Sequence, residues 1–263
     1  VAEAVLNSKH WNDKTVMITG ASSGIGKGLA LEIAARGGRL GLVARREDLL
    51  NEIVDEIAKR NGTAIAVSAD VRDANAMQQA ADRLRGELGP IDVLIANAGV
   101  ATTDYVAKLD PQVVADVINI NVLGAVNTVA AVLPEMVERK SGQLVGIASL
   151  AGYRGLPKSA AYCASKAAVS SFFESLRIDL RHTGVTVSII YPGFIKTPLT
   201  SGRQAKMPYL MELDYGVKKI VTAIEKRKKS YAFPWQLATI VRSGLIMPPA
   251  LYDWIAERNS FRE

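Results

Sequence analysis

Short apolar runs alternate with longer segments of helical period along almost the whole chain, and this alternation restricts the fold more than any other feature. TVMIT (15–19), RLGLVA (39–44), TAIAVS (63–68), DVLIA (92–96), QLVGIAS (143–149) and VTVSIIY (185–191) have the length and near-continuous apolar character of buried strands. Between the second and third lies REDLLNEIVDEIAKRNG, where Leu49, Leu50, Ile53 and Ile57 share one helical face and Gly62 is placed to close the helix. Strands that alternate with helices pair in parallel through right-handed crossovers. Strands apolar on both sides need helices on both faces of the sheet. The expectation is an α/β chain with a single doubly wound parallel sheet. No repeat, low-complexity tract or long linker divides its 263 residues.

Composition narrows the function classes. Apolar residues make up 49% of the chain, enough for a large core. No run approaches the roughly 20 apolar residues that cross a bilayer, and Val1 opens no signal pattern. A cytoplasmic enzyme is expected, although a trimmed chain would look the same. Cys163 is the single cysteine, so no internal disulfide forms, and it is read as a small packed hydrophobe rather than a nucleophile. With His10 and His182 as the two histidines, far apart in sequence, no metal site is expected. The net charge of +6 is dispersed except in EKRKKS (225–230), and no reader motif accompanies it, so nucleic acid is not an expected partner.

In such sheets ligands bind beyond the carboxyl ends of the strands. The first strand ends in TGASSGIGKG, where Gly20, Gly24 and Gly26 would let the chain turn tightly and bring a pyrophosphate to the amides of a helix N-terminus. The spacing differs from the general G-x-G-x-x-G pattern, and the glycines alone would also serve an ordinary tight turn. The second strand ends in VARRE, with Ala44 where an acidic residue would accept from a ribose 2′-OH, followed by Arg45 and Arg46. Two guanidinium groups suit a 2′-phosphate, which favours NADP(H) over NAD(H). The alternative, an ordinary basic helix start, opposes the helix dipole. Asp70, after the third strand, is placed to receive the adenine amino group, because Asp73 fits the helix N-cap better. Asn97 follows the fourth strand at the same edge of the sheet.

In AAYCASKAAVSSFF (160–173) Tyr162 and Lys166 stand one helical turn apart, separated by small residues. The spacing is weak by itself, since Tyr215 and Lys219 repeat it. Position separates the two pairs: Tyr162 follows the fifth strand, which ends at Ser149, and Asn121 precedes it in NINVLG.

With TGASSGIG, ANAG, NVLG, IASLAG, YCASK and YPGFIKTP in order over nearly the whole chain, the sequence resembles the short-chain dehydrogenase/reductase family of ordinary, non-extended type, with its Rossmann fold. Ala96 and Ala148 replace the commoner Asn and Ser. The resemblance implies an oxidoreductase with Asn121, Ser149, Tyr162 and Lys166 as a catalytic tetrad. Ser149 lies thirteen residues before Tyr162, the usual interval. It further implies cofactor contacts from Ser22, Ser23 and Ile25 in the first turn, Val71 beside Asp70, Ala98 and Gly99 after Asn97, and Pro192, Gly193, Ile195 and Thr197 after the sixth strand. Ala164 and Ser165 would leave room for the cofactor. A free phenol, with a pKa near ~10, is a poor base at neutral pH, and a lysine about 6 Å along the helix axis favours its ionised form. Tyr162 would protonate the forming alkoxide, Ser149 would hydrogen-bond the substrate oxygen, and Lys166 would also hold the nicotinamide ribose. Asn121 would anchor a water in the proton relay.

Loops 100–109, 151–159 and 196–213 are expected to frame the substrate, with Leu156, Phe194, Leu199, Met207, Tyr209 and Met211 giving a mostly apolar lining. Arg154, Arg203 and Lys206 would either meet an anionic group or stay solvated. A bulky apolar ketone or alcohol is favoured, including a long-chain lipid. The tail PWQLATIVRSGLIMPPALYDWIAERN (234–259) is apolar through Trp235, Ile240, Leu245, Leu251, Trp254 and Ile255. It would close the cleft, pack a subunit interface or touch a membrane beside EKRKKS. By analogy the chain would form a homodimer or homotetramer through helices near 111–140 and 159–182. Two rival readings remain: a catalytically silent cofactor sensor or scaffold on the same fold, and an epimerase or dehydratase.

Overall fold

The computed structural model describes residues 8–102, 106–201 and 207–258. After a short helix α1 (Ser8–Trp11), strands and helices alternate: β1 (Thr15–Thr19), α2 (Gly24–Ala34), β2 (Arg39–Ala44), α3 (Glu47–Ala58), β3 (Thr63–Ser68), α4 (Ala74–Leu88) and β4 (Ile91–Ala96). Next come α5 (Pro111–Ile118), a π-helical turn (Asn119–Leu123), α6 (Gly124–Glu138), β5 (Gly142–Ile147), α7 (Ala160–Asp179) and β6 (Val185–Pro192). The chain ends with α8 (Leu213–Glu225), β7 (Ser230–Phe233), α9 (Trp235–Ser243) and α10 (Pro249–Arg258).

The seven strands form one parallel sheet in the order β3-β2-β1-β4-β5-β6-β7. The order reverses between β1 and β4, so a crevice opens at their carboxyl ends. Alternate strand residues feed two cores, as the two-residue period of a strand requires. Met17 and Val43 pack on the side of α4, α6 and α7, while Val16, Ile18, Leu40 and Leu42 pack on the side of α2, α3 and α8. Each such fully buried side chain contributes roughly 1.5–3 kcal/mol through removal from water. The sheet is thereby a rigid platform for the loops at its carboxyl edge.

Several expectations change in detail. Helix α3 ends at Ala58, and Asn61 takes the left-handed conformation (φ 60°) that closes it. The Gly62 amide then bonds back to the Ile57 carbonyl at 3.0 Å. The fifth strand stops at Ile147, so Ser149 begins the following loop instead of ending the strand. One expectation holds unchanged: Asp73 caps α4, accepting from the Asn75 and Ala76 amides at 2.8 and 3.1 Å.

The expectation that no segment is long and apolar enough to cross a bilayer is corrected. The π-helical turn joins α5 and α6 into one 28-residue helix, Pro111–Glu138, that meets both criteria by length and composition. It packs against α4 and α7, burying Val117, Ala125, Val129, Val132 and Met136.

The basic run and the apolar tail prove to be separated. Lys226–Lys229 precede the amino end of β7, whereas Trp235 follows its carboxyl end, a strand length of roughly 13 Å away at ~3.3 Å per residue. EKRKKS therefore does not lie beside the tail.

Candidate active site

One cleft of about 910 Å³ opens over the β1/β4 reversal and extends to the C-terminal helices. At its floor Gly20 (φ +66°) and Gly24 (φ +56°) adopt left-handed conformations, and a Cβ on Gly26 would come within 2.2 Å of the Gly20 carbonyl oxygen. The turn thus requires glycine for both angle and approach. Asn97 braces it from β4, its Nδ2 donating to the Thr19 and Gly20 carbonyls at 3.0 and 3.3 Å. The N-terminus of α2 has no side-chain cap, which leaves its first amides directed at the cleft.

Arg46 reaches over this turn and donates from Nη2 to Ser22 Oγ at 2.9 Å and Ser23 Oγ at 3.0 Å. The Arg45 side chain is 63% exposed, with Nη1 4.0 Å from Asp70. Glu47 and Asp48 in the first turn of α3 offset the unfavourable arginines at its start. Asp70 is held by Arg72, whose Nη2 lies 2.6 Å away, and this pairing lowers the Asp70 pKa below its ordinary value. Its carboxylate is thus already an acceptor for one guanidinium.

At the middle of the cleft, α7 presents Tyr162 and Lys166. Lys166 is only 5% exposed; its Nζ donates to the Ile147 carbonyl at 2.9 Å and lies 5.9 Å from the Tyr162 ring centre. Burial pushes its pKa from 10.5 down to about 8. The decoy pair shows what spacing alone provides: Lys219 Nζ lies 5.1 Å from the Tyr215 ring, but Tyr215 is 54% exposed on α8. Ser149, facing the cleft, accepts from the Ala151 amide at 3.1 Å, which fixes its hydroxyl at the head of a 3₁₀ turn, Leu150–Gly152.

Of the residues expected at the cofactor, Gly20, Ser22, Ser23, Gly24, Ile25, Arg45, Arg46, Asp70 and Val71 line this cleft. So do Asn97, Ala98, Gly99, Pro192, Gly193, Ile195 and Thr197. Gly26 lies beneath the turn and does not reach the surface of the cleft. Nor does Asn121, which is 1% exposed within the π-helical turn. Its Oδ1 accepts from the Val100 amide at 2.8 Å, and its Nδ2 donates to the Val100 carbonyl at 2.9 Å and Ser165 Oγ at 2.8 Å. A Cβ on Gly99 would sit 3.3 Å from Asn121 Oδ1 and 3.4 Å from Lys166 Nζ. Asn121 therefore ties the loop after β4 to α7 from behind Lys166, with its amide fully occupied by protein groups.

Leu156, Phe194, Leu199 and Tyr209 line the apolar part of the cleft. Met211 does not; it is buried in the core, where its segment bridges to Ile195. Met207 also lies outside the lining, and Arg203 and Lys206 lie outside the described residues. Arg154 lines the cleft with one guanidinium nitrogen engaged: Nη1 donates to the Gly244 carbonyl and, at 3.1 Å, to the Met247 carbonyl. From the tail, Ile240 and Ile255 reach the cleft, together with Leu237, Val241, Met247 and Tyr252, which the sequence did not single out. Trp235, Leu245, Leu251 and Trp254 face outward. Cys163 is buried.

The short chain dehydrogenase profile matches residues 14–208, most of the described sheet. The chain belongs to the short-chain dehydrogenases. An uncharacterized oxidoreductase of Myxococcus xanthus is 46% identical over 245 residues, covering 93% of this chain and 97% of that protein. A ketoacyl reductase, HetN, of Nostoc is 33% identical over 218 residues, covering 82% of this chain and 76% of that one. The crystal structure of a short-chain type dehydrogenase/reductase from Mycobacterium marinum superposes with a TM-score of 0.78 at 26% identity, over 84% of this chain and 94% of the other. As a short-chain dehydrogenase the protein is an oxidoreductase of a family that binds a nicotinamide dinucleotide, NAD or NADP, and is usually oligomeric. The glycine turn, the uncapped helix start and the room above them fit such a group.

Proposed function

We propose that the protein is an NADP(H)-dependent carbonyl reductase or alcohol dehydrogenase for bulky apolar substrates, with Tyr162 as the general acid and base. The observation that carries this is the placement of Tyr162 and the buried Lys166 in the same cleft as the glycine turn. A bound nicotinamide would supply or take up the hydride. The chain's own residues do the rest. Lys166, charged below about pH 8, lowers the cost of a phenolate on Tyr162, so the phenol can give its proton to a forming alkoxide and recover it in reverse. Ser149 Oγ donates to the substrate oxygen as negative charge builds there. Asn121 acts by position, holding Val100 and Ser165 so that the Lys166 ammonium keeps its place.

Arg45 and Arg46 support NADP(H), because Arg46 bonds to the turn, Arg45 lines the same cleft, and neither strand β2 nor its end offers an acid to a ribose hydroxyl. Asp70 and Val71 would flank the adenine, and Pro192, Gly193, Ile195 and Thr197 the nicotinamide. Residues 196–201 and 207–213 and the tail from 234 to 258 would border the substrate, whose apolar character follows from Leu156, Phe194 and Leu199. The name of the Nostoc relative agrees with an acyl-type ketone. Self-association as a dimer or tetramer would use α5–α6 and α7, on which Leu123 and Ile178 are exposed. A panel of ketones and alcohols with NADPH and NADH, followed by nicotinamide absorbance, tests the proposal. Apolar ketones should consume NADPH at least about tenfold more efficiently than NADH, and Arg46→Ala should erase most of that ratio, as expected for loss of a charge-assisted contact. Equal use of both cofactors would overturn the NADP(H) assignment.

A further inference from the structure

Helix α10 carries no buried residue, yet Tyr252 and Ile255 on it form part of the cleft wall. Packing alone does not hold it. Its attachment runs through the loop that begins with Ser149. Arg154 donates to the carbonyls of Gly244 and Met247, which bracket the 3₁₀ turn Gly244–Ile246 between α9 and α10; the Gly244 carbonyl also accepts from the Met247 amide at 3.3 Å, so Arg154 binds both ends of that turn. Its guanidinium carbon also lies 3.8 Å from the centre of the Tyr252 ring. Tyr252 Oη returns the contact, donating to the Gly155 carbonyl at 2.6 Å. A Cβ on Gly244 would approach the Tyr252 ring to 3.2 Å, so the two segments are closely apposed. Among the described residues no carboxylate pairs with Arg154, so its charge is committed to those two carbonyls and an aromatic face.

We infer that Arg154 is a positioning residue that clamps the C-terminal helical hairpin over the cleft, and that the hairpin's apolar inner face, Ile240, Val241, Met247 and Ile255, selects for the aliphatic chain of the substrate. The inference rests on the carbonyl-reductase reading and adds where the chain lies and what holds that wall. The carbonyl end meets Ser149 and Tyr162; the alkyl end runs under α9 and α10. The clamp starts five residues after Ser149, so a loosened hairpin need not disturb the reacting end.

The test compares 2-pentanone with 2-undecanone on the whole 263-residue chain, reading both turnover with NADPH and binding by isothermal titration calorimetry. Arg154→Ala should lower kcat/KM for 2-undecanone about tenfold, through KM, and leave 2-pentanone within about twofold, as expected for removal of a few hydrogen bonds to the wall. Ile255→Phe, which narrows the far end of the wall and leaves Arg154 in place, should weaken 2-undecanone binding more than 2-pentanone binding. Equal losses for both ketones, or no loss for either, would overturn the inference. If the protein reduces neither ketone but binds 2-undecanone more tightly, and both variants abolish that preference, the reductase reading falls while the chain-binding wall stands.

Discussion

Lys166 buries an ammonium against a single carbonyl at 2.9 Å, and its pKa of about 8 measures the cost. The folded pKa lies below the unfolded 10.5, so the penalty is fully present below pH 8 and is relieved as pH rises toward 10.5. At about 1.36 kcal/mol per pH unit it amounts to roughly 3 kcal/mol. The proposed role of the charge beside Tyr162 gives a reason for the fold to carry a penalty of that size. Reductive kcat/KM should therefore be flat below pH 8 and fall above it as Lys166 loses its proton. Lys166→Arg, charged at all accessible pH, should remove that falling limb at a lower plateau. An unchanged limb in the variant would assign the titration to another group. At this scale the sequence was largely legible, because YCASK and the glycine turn fix residue types by chemistry. Two placements were not. Asn121 sits behind the cleft because a π-helical turn rotates it there, and no periodicity announces such a turn. Arg154 turned to the tail, and a loop arginine carries no record of its partner.

At the scale of elements, six strands were visible because each is a largely apolar run of five or more residues. The seventh, Ser230–Phe233, was not: it has four residues, begins exposed, and follows four consecutive basic residues. It is an edge strand, as β3 is, but β3 has six residues with four apolar ones in a row, and β7 has neither that length nor that run. The tail was recognised as apolar, but its division into an inner and an outer face depends on where α9 and α10 dock. Because α10 buries no side chain, a chain ending at Met247 should keep its sheet domain, with a melting temperature lowered by less than about 4 °C. Circular dichroism melts check this; a drop beyond about 10 °C would show that α10 belongs to the cooperative core.

For the whole molecule, the strand order gathers the ends of β1, β4, β5 and β6 around one cleft, so residues as distant in sequence as Gly20 and Tyr252 share it. That convergence follows from the alternation of strands and helices and is legible in the sequence. What the alternation does not disclose is which end of the sheet each surface feature occupies. The basic run falls at the amino ends of the strands and the apolar tail at the carboxyl ends. The central claim is that this cleft carries out hydride-linked proton transfer through one phenol. The most direct measurement is NADPH binding and ketone turnover by Tyr162→Phe, which removes one oxygen and leaves the ring. The account predicts unchanged NADPH affinity and a kcat reduced at least about a hundredfold, the contribution expected of a positioned general acid. Turnover equal to that of the unaltered protein would contradict it.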